Sequence, residues 1–126
     1  MKKLFLVLIL AVMVVSTSGC ARRIADLTYV STKNVSGQEL STSTTDGERV
    51  TGEDKSHIII FIPTGNPNAE EALDRAIESK PGGVALKNAS IHSSWFYIPY
   101  VYGEFTIWVE GEVLVPKDKL DQNNKS

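Results

Sequence analysis

One cysteine, Cys20, stands in a chain of 126 residues. No disulfide can form within the chain, and a thiolate metal cluster is excluded. Histidine is nearly as scarce: His57 and His92 are the two present. A metal site is therefore expected to be absent, unless the strands carrying His57 and His92 pair and bring both imidazoles to one ion. Positive charge is not in excess, with 13 Lys and Arg against 15 Asp and Glu. Nucleic acid is then not an expected partner, because it demands clustered basic side chains. The sequence has no Gly-rich dinucleotide loop and no phosphate-binding loop with its lysine, so no cofactor is expected. It also has no internal repeat.

A catalytic reading fails on the same ground of absence. His92 adjoins Ser93 and Ser94, but neighbouring strand residues point to opposite faces, so His92 does not reach Ser93. Ser94 shares a face with His92, yet no carboxylate orients the pair and no strand-to-helix elbow presents the serine. The chain is expected not to be an enzyme.

What is present begins at the N-terminus. Lys2 and Lys3 precede an apolar run from Leu4 to Val15, and the small residues Ser16 to Gly19 then lead to Cys20. Charged start, apolar middle and small-residue processing site are the parts of a secretory signal. The run would extend only about 18 Å as a helix, short of a bilayer's core of roughly 30 Å. Thr17-Ser18-Gly19-Cys20 resembles the lipobox of bacterial lipoproteins, with Thr17 where that motif usually carries Leu. The resemblance implies cleavage before Cys20 and lipid attachment (diacylglyceride and palmitate) at Cys20, a membrane anchor. Ala21 in the next position implies sorting to the periplasmic face of the cell outer membrane in a Gram-negative source. Two or more acyl chains hold a protein firmly, at about 0.8 kcal/mol per buried CH₂.

The chain therefore divides into a signal peptide over 1–19, a tether over 20–25, one domain over 26–116 and a polar tail over 117–126. Without residues 1–19 the 126-residue chain shortens to 107, and without Lys2 and Lys3 the 13 basic groups become 11 against 15 acidic. That length suits a single domain with a modest core.

Within the domain, Leu27–Ser31 and Glu48–Gly52 read as short strands flanking a Ser/Thr-rich loop. His57-Ile58-Ile59-Ile60-Phe61-Ile62 reads as a strand covered on both faces. Ala69, Ala72, Leu73, Ala76 and Ile77 recur at helical spacing, with Asn66 or Asn68 as cap, Pro67 at the first turn and Lys80-Pro81-Gly82-Gly83 as the stop. Phe105, Ile107, Val109, Val113 and Val115 alternate with Glu104, Thr106, Glu110 and Glu112, a half-buried strand. With residues 87–97 it predicts a long hairpin. The fold class expected is α+β: a small, mostly antiparallel sheet with one amphipathic helix packed on it, after an N-terminal signal helix.

Five aromatics crowd Trp95-Phe96-Tyr97-Ile98-Pro99-Tyr100-Val101-Tyr102. Trp and Tyr give large contact area at low entropy cost and are enriched at interfaces. Trp95, Phe96, Tyr97, Tyr100 and Tyr102 are the candidate partner-binding residues, for an envelope protein, a glycan or the membrane surface. Phe61–Gly65, the helix, Gly82–Ala89 and Trp95–Gly103 together resemble small uncharacterised bacterial lipoproteins of the TRL-like sort. The likeness spans roughly 57–113 and implies location and fold, with no activity attached. The expected function is a non-enzymatic, membrane-tethered binding or scaffolding module of the cell envelope. The alternative is an envelope small-ligand or metal sensor using the sheet face of His57 or His92.

Overall fold

The computed structural model describes residues 1–16 and 19–125. Thr17 and Ser18 of the expected processing site, and Ser126 of the tail, lie outside the described residues. Helix α1 (Lys2–Ser16) comes first, then β1 (Cys20–Val30), α2 (Gly37–Thr42), β2 (Ser43–Thr44), β3 (Arg49–Ile59) and β4 (Ile62–Pro63). Helix α3 (Ala69–Glu78), β5 (Ala85–Ile98), β6 (Tyr102–Pro116) and α4 (Lys117–Asn123) complete the chain. The fold is α+β, with one six-stranded antiparallel sheet in the order β1-β5-β6-β3-β4. β3 begins opposite Glu112, and past that point β2 takes its place and pairs with Val115 and Pro116 of β6.

The core lies between α3 and one face of this sheet. Ala72, Leu73, Ala76 and Ile77 form the buried stripe of the helix, and they meet Leu86, Ala89, Val109, Val113 and Val115. Helix α3 starts where expected because Asn68 accepts a hydrogen bond from the Glu70 amide at 2.9 Å. Pro67 sits one step before that cap. Two glycines set how closely the helix rides. A Cβ at Gly52 would overlap the Ala72 carbonyl and the Ala76 backbone nitrogen, and one at Gly83 would overlap the Ile77 carbonyl. Small residues there let backbone approach backbone.

A second, smaller cluster occupies the opposite face at one end of the sheet. Val84, Ala85 and Leu114 are buried there beneath Val35 and Leu40, the latter from α2. The sheet edges are guarded: β1 carries Arg22, Arg23 and Asp26, and β4 is two residues long with Pro63 in it.

Several expectations change. Residues 20–25, read from sequence as a tether, lie in β1, which starts at Cys20 and pairs it with Trp95. The short strand foreseen at 48–52 and the front of the 57–62 run are one strand, β3. The rest of that run is not a buried strand. Ile60 and Phe61 form the turn between the paired residues Ile59 and Ile62, and Ile59, Ile60, Phe61 and Ile62 are all exposed. Hydropathy marks these residues as apolar, but α3 packs over the other end of the sheet, so their side chains stay exposed. More than one helix touches the sheet, since α2 packs on the face opposite α3, over Ala85 and Leu114. The polar tail continues as helix α4, exposed from Lys117 to Gln122. No helix among the described residues is long and apolar enough to cross a membrane.

Candidate functional site

Register assigns each side chain to a face. His57, Glu104 and Phe96 lie in one row across β3, β6 and β5; Lys55, Thr106 and Ser94 in the next; Glu53, Trp108 and His92 in the third. These rows point away from α3, whose partners on the same strands are Gly52, Val109 and Ile91. No element among the described residues covers them, because α2 reaches only the far end near Ala85 and Leu114. The result is an open patch built on three paired strands.

Its centre is a chain of polar and aromatic contacts. The Tyr102 hydroxyl donates to Oε2 of Glu104 at 3.2 Å. Nδ1 of His57 lies 2.5 Å from the same Tyr102 oxygen, and the imidazole tautomer sets which of the two donates. Thr106 donates to Oε1 of Glu104 at 3.2 Å. The imidazole also lies 5.7 Å from the Tyr102 ring at 29°, and Phe96 packs on the other side of Tyr102 at 5.9 Å. Partial burial, and then the neighbouring Glu104 carboxylate, push the Tyr102 hydroxyl above the usual phenol range. The hydroxyl therefore stays protonated at neutral pH and acts as a fixed donor.

His92 belongs to a separate part of the patch. Its ring lies flat against Trp108, 5.2 Å between centroids and 6° between planes, and Nε2 is 3.2 Å from the Ser90 hydroxyl. Ser90 is buried and so presents no nucleophile to a substrate. His57 and His92 do not meet. Strand β6 separates β3 from β5, and the two rows are four residues apart, roughly 16 Å in all at ordinary sheet spacings. Among the described residues no group of three or more His, Cys, Asp or Glu is arranged to hold a metal ion.

The five aromatics named from sequence do not form one surface. Phe96 and Tyr102 belong to the open patch. Trp95 and Tyr97 project to the face that carries α3, beyond the end of the helix, and stack on each other at 6.4 Å. Tyr100 is at the hairpin turn, edge-on to Phe61 at 5.1 Å. Alternation foresaw the split between Trp95 with Tyr97 and Phe96. Glu104 and Trp108 were not singled out as site residues. Their signal was an aromatic, Trp108, at the same parity as Glu104, Thr106 and Glu110, on the half of the strand read as wet.

Cys20 is exposed with a free thiol, at the mouth of β1 beside Trp95. The apolar side chains of α1 before it, from Leu4 to Val14, are exposed rather than packed on the sheet. No family model, no curated protein and no solved structure matches this chain.

Proposed function

We propose that this chain is a non-enzymatic lipoprotein of the cell envelope, anchored at Cys20, that presents its open sheet face to an envelope protein or glycan. The observation carrying this reading is the asymmetry of the sheet. One face is sealed by α3, while the other leaves Phe96, Tyr102, His92 and Trp108 half-buried and without a covering layer. Flat rings with fixed polar neighbours at Glu104 and Thr106 suit recognition, since their geometry is set before a partner arrives. An outer-membrane location and the likeness to TRL-like lipoproteins belong to the same reading, and the alternative is an envelope small-ligand or metal sensor on the face of His57 or His92.

Two measurements test it on the full chain expressed in a bacterial envelope. The intact mass of the membrane-extracted protein, set against Cys20→Ser, reports cleavage and acylation. A photo-crosslinking residue placed at Trp108, with Glu71 on the outer face of α3 as control, reports the surface. A discrete adduct from position 108 and none from 71 supports the reading. Equal labelling from both positions rejects the open face as the working surface.

A further inference from the structure

The end of the sheet at which β1 begins is unlike the rest of the molecule. Two hairpin turns project there side by side. Ile60 and Phe61 join β3 to β4, and Pro99, Tyr100 and Val101 join β5 to β6. Ile59, Ile60, Phe61, Ile62, Tyr100 and Val101 are all more than half exposed. The two turns hold each other: the Ile60 amide donates to the Val101 carbonyl at 3.4 Å, and the Tyr97 hydroxyl donates to the Ile60 carbonyl at 2.6 Å. Phe61 and Tyr100 close the contact edge to face.

Turn chemistry alone does not explain these residues. Ile60 has φ of 59° and Tyr100 has φ of 64°. The second turn has Pro99 in its second position and the Val101 amide bonded to the Ile98 carbonyl, the pattern of a type II turn whose third position favours Gly or Asn. A β-branched residue at positive φ is rarer still. The chain thus accepts strain in both turns to keep a large apolar side chain at the apex, and such strain points to a role for the side chain.

Charge is missing from the same region. From Ile58 to Asn68, and from Ala89 to Gly103, the sequence contains no Asp, Glu, Lys or Arg. Charged side chains resume at the rim, with Arg22 opposite Ser93 on one side and Glu104 opposite His57 on the other. Cys20 pairs with Trp95, so Ile98 at the end of β5 lies three residues further toward the turn. That distance is about 10 Å along a strand. It matches the depth, about 5–10 Å, to which interfacial apolar elements sink at the headgroup and acyl boundary.

We infer that the paired turns around Ile60, Phe61, Tyr100 and Val101 insert into the bilayer surface, seating the sheet upright on the membrane that anchors it. This rests on the reading that residue 20 is held at a membrane. Because Cys20 is itself the first residue of β1, the anchor brings these turns to the lipid rather than leaving the domain free on a tether. Arg22 and Arg23 then face the headgroups, Tyr102 opposite Ile98 enters the interface with the turns, and the part of the open patch around His92 and Trp108 faces sideways above the surface. An aromatic and aliphatic tip with a charged rim fits a lipid surface, where Tyr and Trp settle between hydrocarbon and water.

The test uses the full chain processed in cells, extracted and reconstituted in vesicles of phosphatidylethanolamine and phosphatidylglycerol. A photo-crosslinking residue replaces Phe61, Tyr100 or, as control, Glu71, and adducts are identified by mass. The expected result is about tenfold more lipid adduct from positions 61 and 100 than from 71, as interfacial insertion demands. Equal, background lipid labelling from all three overturns the inference, and so does a protein adduct from 61 and 100 in intact envelopes, which makes the tip a protein interface. The intact mass of the same samples reports acylation separately. If Cys20 carries no lipid, the anchor reading fails while the labelling still decides the insertion, because an uncleaved α1 would bring the same end to the bilayer.

Discussion

The two ends of the sheet follow opposite rules. At the end covered by α3, glycines are spent so that backbones can touch: Gly52 lies under Ala72 and Ala76, and Gly83 under Ile77. At the Cys20 end, positions whose backbone calls for glycine carry Ile60 and Tyr100 instead. One end maximises packing within the chain and tolerates no added atom. The other keeps side chains that the chain itself does not bury. Stability is concentrated where α3, β3, β5 and β6 meet, which leaves the far end free to be shaped by what lies outside the molecule.

Substitution at the packed end gives the largest effect. Gly52→Val places branched carbons inside the α3 backbone, so the helix must lift from the sheet. The expected loss is about 3 kcal/mol or more, read as a fall in the denaturant midpoint, and a midpoint within error of the parent would disprove the close approach. Ile60→Gly reverses the sign. It removes the left-handed strain on a β-branched residue, and the net gain is about 0.5–1 kcal/mol after the entropy of glycine is counted. The same variant is expected to label less lipid, so a rise in melting temperature together with weaker lipid contact would show that stability was traded for an exposed apex.

The smallest effect is electrostatic. Lys80 donates to Asp46 and also to Glu48 at 3.1 Å, tying the chain after α3 to the β2–β3 connection. The hydrogen bond from Lys80 holds the Asp46 carboxyl below its ordinary 3.8, and the bond to Asp46 holds Lys80 above its ordinary 10.5. A depressed carboxylate stabilises the fold above pH 3.8 and loses that contribution as pH falls through its folded value. A raised lysine stabilises below pH 10.5 and loses its share above that. Asp46→Asn should therefore lower the melting temperature slightly at neutral pH and flatten its fall below pH 3.8. Both groups touch solvent, so salt should shrink the difference. A variant whose acid profile overlays the parent would show that the pair contributes nothing.

Local patterns were legible where one element decides its own fate. The apolar stripe of α3, its Asn68 cap and its glycine stop all lie between residues 68 and 83, so period and capping chemistry were enough. The β5–β6 hairpin was equally readable, since alternation from Phe105 to Val115 marks the buried face. The run from His57 to Ile62 misled because its composition states that the residues are apolar, not whether anything covers them. The fate of Cys20–Ala25 was also hidden. A short polar stretch after a signal reads as linker, and only pairing with Trp95, Ser94 and Ser93 makes it a strand.

The candidate site shows the same division. Aromatic density at 95–102 marked the right neighbourhood, but it could not say that Phe96 and Tyr102 would join His57, Glu104 and Trp108 while Tyr100 joined Phe61. Sequence by itself determined the α+β class, the position of α3, the main hairpin and the absence of a disulfide, because these follow from local period and from residue inventory. Tertiary structure alone decided which apolar residues are buried, which face stays open and that Cys20 begins a strand beside the uncharged turns. Those outcomes depend on strand register and on the finite area that one ten-residue helix can cover, and neither quantity is written in any single stretch of the chain.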